Sequence, residues 1–385
     1  MPFFLIIIIS ILAGTDYYLA HRLYHGLVCF LPNLKFWMML VLVSVLLLFL
    51  VLGFGRSTLP ISDELKHLLG IISGYCMGFS LYLFLFTVVS DLLMLVPRLM
   101  SLSITKHPLT QGIVTVIVLF LTCVTCVGGF IHGSQLSHVS YDISLSGKKD
   151  ISDLNIVLIS DLHLGAMGSE EQLEEIVAEI NSLHPDVICV AGDFFDTDFS
   201  EIREPKAAVE TLKKLDATYG TYVCLGNHDG GETHPEMVDF LAEANLHLLD
   251  DSYTIIDERL VLVGRLDATP IGGYGAAKRQ ELSAFFTRED ASLPVIVLDH
   301  NPARIDEYQT EADLILCGHT HQGQVFPGSL ITDALYTVDY GYYQKDSNSP
   351  QVIVTSGVGS WGMPMRVGTD REIVSIQFTC DSQNP

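Results

Sequence analysis

Five short segments of this sequence gather side chains that hold divalent metal ions. They read Asp161-Leu162-His163, Gly192-Asp193-Phe194-Phe195-Asp196, Gly226-Asn227-His228-Asp229, His300-Asn301-Pro302 and Gly318-His319-Thr320-His321. Carboxylate, imidazole and amide oxygen suit Mn²⁺, Fe and Zn²⁺, and no thiolate set accompanies them. The chemistry that fits is hydrolysis of a phosphate ester. It needs a nucleophile at neutral pH and compensation for charge on the equatorial oxygens, and two ions about 4 Å apart supply both. An Asp, with two oxygens, can bridge such a pair. Asn227 offers a neutral oxygen where another negative charge would blunt the electrophilic site.

The positions of these segments explain how they can meet. Each follows a short apolar run that reads as a buried strand, at 155–160, 187–191, 221–225, 295–299 and 313–317. Open α/β sheets bind ligands at the carboxyl ends of their strands, so all five segments can converge on one edge. Helical signals lie between the early strands. Ser169-Glu170-Glu171-Gln172 fits a capping box ahead of Leu173, Ile176, Val177 and Ile180. Pro205 opens a second helix with Ala208, Val209, Leu212 and Leu215 on one face, and Met237, Phe240, Leu241 and Ala244 mark a third. Further strands are expected at 259–264, 352–356 and 372–379. The early strand–helix alternation predicts parallel strands with crossover helices, and the later strands predict a second sheet packed on the first.

In order and content, the five segments resemble the blocks of the calcineurin-like metallophosphoesterase superfamily: D-x-H, G-D-x-x-D, G-N-H-D/E, H and G-H-x-H. The resemblance runs over roughly residues 155–379 and implies a two-sheet α/β/β/α sandwich. It implies that Asp161, His163 and His321 hold a first metal, that Asn227, His300 and His319 hold a second, and that Asp193 bridges them. It gives His228 the role of contacting the phosphate and protonating the leaving oxygen, with Asp229 beside it as an orienting partner. Asp196 is expected to support its loop. The stretch Ser356-Gly357-Val358-Gly359 through Trp361-Gly362, Pro364 and Arg366-Val367-Gly368 is similar to the membrane-associated branch, which makes Arg366 a candidate substrate contact. Gln322 departs from the pattern, because close relatives often carry Gly after the last His. Fine specificity therefore does not transfer.

Composition sets the rest of the molecule apart. The chain has 385 residues, 49 % of them apolar, and a mean hydropathy of +0.38. The excess lies in residues 1–132, where four apolar stretches, near 3–20, 36–55, 68–96 and 112–131, approach or exceed the roughly 20 residues that cross a bilayer. Only four of the 45 acids and six of the 21 bases precede residue 133, leaving a formal charge of −26 beyond it. A domain that acidic should repel nucleic acid. The expected organisation is a multi-span membrane region over 1–132, a polar connector over 133–153 and a phosphoesterase domain over 154–380. Lys and Arg in the loops lean toward both termini facing outward, whereas apparently unpaired thiols and the lack of an N-x-Ser/Thr sequon lean the other way. Asp91, inside the third stretch, is read as an interfacial acid.

Several motifs carry bland readings instead. The eight cysteines read as core thiols, and Cys123-x-x-Cys126 falls inside a span. Gly357-Val358-Gly359-Ser360-Trp361-Gly362 matches a dinucleotide fingerprint literally, but Met363-Pro364-Met365 opens no helix, so it reads as a loop at the site rim. The segment 265–292, with Arg265, Lys278, Arg279 and Arg288, either grips a second phosphate or forms a surface loop.

The combined expectation is a multi-pass membrane enzyme with two divalent ions, foremost Mn²⁺. It would hydrolyse a phosphomonoester or phosphodiester by a metal-bridging hydroxide. A tethered site favours a phosphorylated or nucleotide-linked lipid, and relatives of this kind include hydrolases of UDP-diacylglucosamine. The alternatives are a soluble nucleotide or sugar phosphate as substrate, or a non-catalytic membrane sensor with the same metal site.

Overall fold

The computed structural model describes residues 2–100, 102, 107–146, 148–149, 151–165, 169–288, 292–308 and 311–381. Two compact units emerge, one built on 1–131 with Gly362–Met365, the other on 132–361 with 366 onward.

The first unit carries four helices, α1 (Pro2–Leu27), α2 (Phe36–Phe54), α3 (Asp63–Leu99) and α4 (Pro108–Gly133). All four are long and apolar enough to cross a membrane. They expose large apolar side chains such as Leu93, Phe120 and Val127, as lipid-facing helices do. Several polar side chains pair between helices. Ser44 donates to Asp16 Oδ2 at 2.6 Å, and Asp91 is paired with Arg22 at 2.7 Å and accepts from Tyr18 Oη at 2.7 Å. Asp91 thus ties α3 to α1.

The second unit is the predicted sandwich of two six-stranded sheets. The first sheet runs in the order β1 (Leu136–Ser146), β12 (Arg371–Asp381), β2 (Ile151–Ile159), β3 (Val187–Ala191), β4 (Thr221–Cys224), β5 (His247–Leu248). Strands β2 to β5 are mutually parallel, and β12 lies antiparallel to β2 and parallel to β1. The second sheet runs β10 (Gly341–Gln344), β11 (Gln351–Val354), β9 (Leu314–Cys317), β8 (Val295–Leu298), β7 (Leu260–Gly264), β6 (Ser252–Ile256), parallel through its four central strands. Apolar faces of the two sheets meet in one core that includes Ile156, Leu158, Leu262, Ile296, Leu314 and Phe378. Helices α5 (Ser169–Ser182), α6 (Pro205–Leu212) and α7 (His234–Glu243) cover the outer face of the first sheet through Ile176, Val209 and Phe240. Burial on both faces is why β3, β8 and β9 read as unbroken apolar runs.

The stretch 133–153, expected as a polar connector, holds β1 and the start of β2. In Leu136–Ser146 the apolar Val139, Tyr141, Ile143 and Leu145 alternate with Ser, His and Asp, a half-buried strand whose polar face dominates its composition. The short helix α8 (Gly328–Leu335) was not expected either.

Candidate dinuclear metal centre

The strand ends bring the five segments to one place. A tight backbone brings each strand into its ligand turn, and glycine is needed where two turns touch. A Cβ on Gly226 would stand 2.2 Å from Asp193 Oδ1, and one on Gly318 would stand 2.5 Å from Asp161 Oδ2. Asp161, His163, Asp193, His319 and His321 all adopt left-handed φ, between 49° and 74°. Such a backbone costs a non-glycine residue about 1–3 kcal/mol and persists where surrounding structure enforces it, most often at functional sites. Here it turns five ionisable side chains toward one another.

The side chains form two groups. Asp161, His163 and His321 place one ligand atom each within 4.8 Å of one another, and so do Asp193, His300 and His319. Within the first, His163 Nε2 and His321 Nε2 face each other at 3.2 Å. Within the second, His300 Nε2 and His319 Nδ1 face each other at 3.1 Å. Asp193 Oδ2 lies 3.2 Å from His300 Nε2 and 3.9 Å from His163 Nε2, so it stands between the groups. Asn227 Oδ1 is buried with no hydrogen-bond partner, an orphan that a cation would satisfy. These donors fit two divalent cations.

Neighbours fix how the rings present themselves. His300 Nδ1 donates to the Ala191 carbonyl at 2.8 Å, leaving Nε2 as the lone-pair nitrogen on the site side. Asp196 Oδ1 lies 3.5 Å from His163 Nδ1 and acts on that ring electrostatically. Asp161 Oδ2 accepts from Ser160 Oγ and from the His319 amide. Burial tends to raise the Asp161 and Asp193 pKa values, but the histidines around them outweigh it and hold both carboxyls well below the usual range.

His228 sits half-buried beside these groups, with its amide donating to Asp193 Oδ1 at 2.8 Å. Burial lowers its pKa. The residue that orients its ring is Thr197, whose Oγ1 lies 2.7 Å from Nδ1, with Asp196 Oδ1 at 3.7 Å. Asp229 does not perform that task. It is fully buried and accepts from the amides of Phe195 at 2.8 Å and Gly226 at 2.7 Å, which ties the second and third segments together. Desolvation raises its pKa to about 7. Adjacent residues in a tight turn point apart, so sequence proximity to His228 misassigned it.

Arg366 also departs from expectation. It is fully buried and donates to the carbonyls of His321 at 3.0 Å, Ser356 at 2.8 Å and Gly359 at 2.7 Å. Its guanidinium bolts the His319–His321 loop to the glycine-rich loop and is not open to substrate. The arginines of 265–292 are likewise internal. Arg265 pairs with Asp251 at 2.8 Å, Arg279 with Asp299 and Glu307, and Arg288 with Asp313. They balance buried carboxylates, and the phosphate-gripping reading fails for all three.

Asp267 escaped sequence reasoning. It is 1 % exposed, accepts from Thr269 through Oδ1, leaves Oδ2 without a partner, and acts electrostatically on His300 and His319. Its signal was an acid three residues past strand β7, the same strand-then-acid arrangement at a longer offset.

Comparison with known proteins agrees with this geometry. Residues 154–323 match the model of the calcineurin-like phosphoesterase family. Over those residues the chain carries the sequence pattern of that family, and beyond them it is similar to membrane-associated members of the calcineurin-like metallophosphoesterase superfamily. It is 31 % identical over 237 residues to an uncharacterized metallophosphoesterase of Helicobacter pylori, an alignment covering 60 % of this chain and 61 % of that one. It is 29 % identical over 354 residues to a transmembrane protein with metallophosphoesterase domain of Danio rerio, covering 86 % of this chain and 79 % of that one. A protein of the same description from Bos taurus is 29 % identical over 239 residues, covering 59 % and 53 %.

Proposed function

We propose that this chain is a membrane-anchored phosphohydrolase with two divalent cations, Mn²⁺ foremost, acting on a phosphorylated or nucleotide-linked lipid. The observation that carries the reading is the pair of facing imidazole nitrogens in each His/Asp group, with Asp193 Oδ2 between the groups. Asp161, His163 and His321 would hold one cation, and Asn227, His300 and His319 the other, with Asp193 shared. When bound, such ions lower the pKa of a water and offset charge on the phosphoryl oxygens.

The chain's own groups supply the remaining work. Asp193 aligns the two halves of the site, and its Oδ1 holds the His228 amide. His228, its Nδ1 tied to Thr197, delivers a proton from Nε2 to the leaving oxygen as the ester P–O bond breaks and the attacking water's oxygen bonds to phosphorus. Arg366 and Asp229 keep the loops in register. A lipid substrate is favoured because α4 ends at Gly133 and β1 begins at Leu136, so two residues join the domain to a spanning helix.

The test uses the full chain in lipid nanodiscs with Mn²⁺, assayed on bis-p-nitrophenyl phosphate and on a phosphorylated lipid. Turnover that disappears on chelation, falls at least 100-fold in Asp193→Asn and His228→Ala, and prefers the lipid is expected. Equal turnover in Asp193→Asn would overturn the assignment. A preference for the water-soluble ester would overturn the lipid.

A further inference from the structure

Helix α8 is amphipathic in the wrong sense for a soluble domain. None of its residues is buried. Leu330, Ile331, Ala334 and Leu335 share one face at i, i+1, i+4 and i+5, and Leu330, Ile331 and Leu335 are 60 %, 60 % and 74 % exposed. On the opposite side Thr332 turns inward, where its Oγ1 donates to Asp339 Oδ2 at 2.7 Å, and Asp333 is exposed. Phe326 and Trp361 extend the apolar surface, at 50 % and 42 % exposed. Four of the nine large apolar side chains that the described phosphoesterase domain exposes therefore lie within the ten residues 326–335, and Trp361 is a fifth on the opposite flank of the metal centre. Clustered exposed apolar groups mark a docking surface, whereas scattered ones need no explanation.

The surface borders the metal centre at both ends. At its start, the Gly328 backbone lies against Gly323, two residues after His321, so closely that a Cβ on Gly323 would stand 2.2 Å from it. At its end, the Tyr336 ring lies 6.2 Å from the His319 ring. On the other flank the Trp361 ring lies 5.9 Å from the His228 ring, and its backbone is held by the Gln324 side chain through bonds of 2.8 Å and 2.9 Å.

We infer that α8, with Phe326 and Trp361, inserts into the headgroup–acyl boundary of the bilayer and forms the entry rim for a lipid substrate. This deepens, and rests on, the lipid-phosphohydrolase reading above. Bilayer is the occupant that charge and connectivity select. The stretch 326–336 contains no Lys or Arg and one acid, Asp333, so its attraction is apolar and needs no anionic lipid. A second copy would bring two domains of formal charge −26 together, against their repulsion. An eight-residue helix is also small beside the 20–30 residues per side of a standard protein interface. The spanning helices keep the chain at a membrane throughout.

The experiment uses the full chain in phosphatidylcholine nanodiscs. Its two tryptophans are removed by Trp37→Phe and Trp361→Phe, and Leu335→Trp places an indole on α8. The inference predicts blue-shifted emission that falls at least twofold when the lipids carry brominated acyl chains, equally at low and high salt. Water-like emission without quenching overturns it. So does a blue shift that brominated lipid does not quench, because that signals a protein partner or a second copy. A second variant, Leu330→Ser with Ile331→Ser and Leu335→Ser, should lose at least tenfold in kcat/KM on a bilayer-embedded phosphorylated lipid while staying within twofold on bis-p-nitrophenyl phosphate. Parallel loss on both substrates overturns the rim. Quenching without lipid turnover would retain the insertion and remove the lipid substrate, so the two readings fail separately.

Discussion

Gly226→Ala is the smallest change that should disable the site. Its added Cβ would stand 2.2 Å from Asp193 Oδ1 and 2.3 Å from the Asp193 amide nitrogen, where ordinary contact begins at 3.4 Å. Rotating the Asp193 side chain relieves the first overlap but not the second, so the backbone must move by about 1 Å. A displacement of that size at reacting groups costs about 100-fold in rate, equivalent to about 2.7 kcal/mol in the barrier. Overpacking should also cost about 1–3 kcal/mol of stability. Gly226 has no left-handed φ, so the penalty is purely steric. Gly273→Ala provides the opposite case: φ is +79° and a Cβ there meets nothing within 4 Å. It should cost about 1 kcal/mol of stability and leave kcat unchanged. The assay is kcat on bis-p-nitrophenyl phosphate beside a thermal melt, both on the full chain. If Gly226→Ala keeps kcat within threefold of the parent, the placement of Asp193 is not what governs turnover.

Two further substitutions separate catalytic positioning from structure. Thr197→Val removes the hydroxyl 2.7 Å from His228 Nδ1 and should lower kcat about tenfold with a displaced pH profile and unchanged metal content; an unaltered profile would remove Thr197 as the orienting group. Arg279→Leu strands the buried Asp299 carboxylate and should cost about 3–5 kcal/mol in chemical denaturation, while the folded fraction keeps its KM; a raised KM at full stability would restore the phosphate-gripping role.

The core of the site was legible because each ligand segment is local: a buried apolar run, then Asp, Asn or His within two residues of its end. Strands β3, β8 and β9 and helices α5, α6 and α7 were found by the same periodicities that bury them. What escaped depends on tertiary partners. Asp229 adjoins His228 in sequence but faces the Phe195 and Gly226 amides, a direction that only the folded turn fixes. Arg366, Arg265 and Arg279 read as free cations because their partners, loop carbonyls or carboxylates such as Asp251 and Asp299, are distant or ordinary-looking in the chain. Strand β1 was hidden by its polar face, and α8 by being too short and too exposed to resemble a core helix.

The central claim is that two cations share Asp193, and the direct measurement is electron paramagnetic resonance of the full chain titrated with Mn²⁺. Two bound ions per chain and a spin-coupled multiline spectrum that collapses in Asp193→Asn are the expected result. A single bound ion with an isolated six-line spectrum, unchanged in that variant, would contradict it.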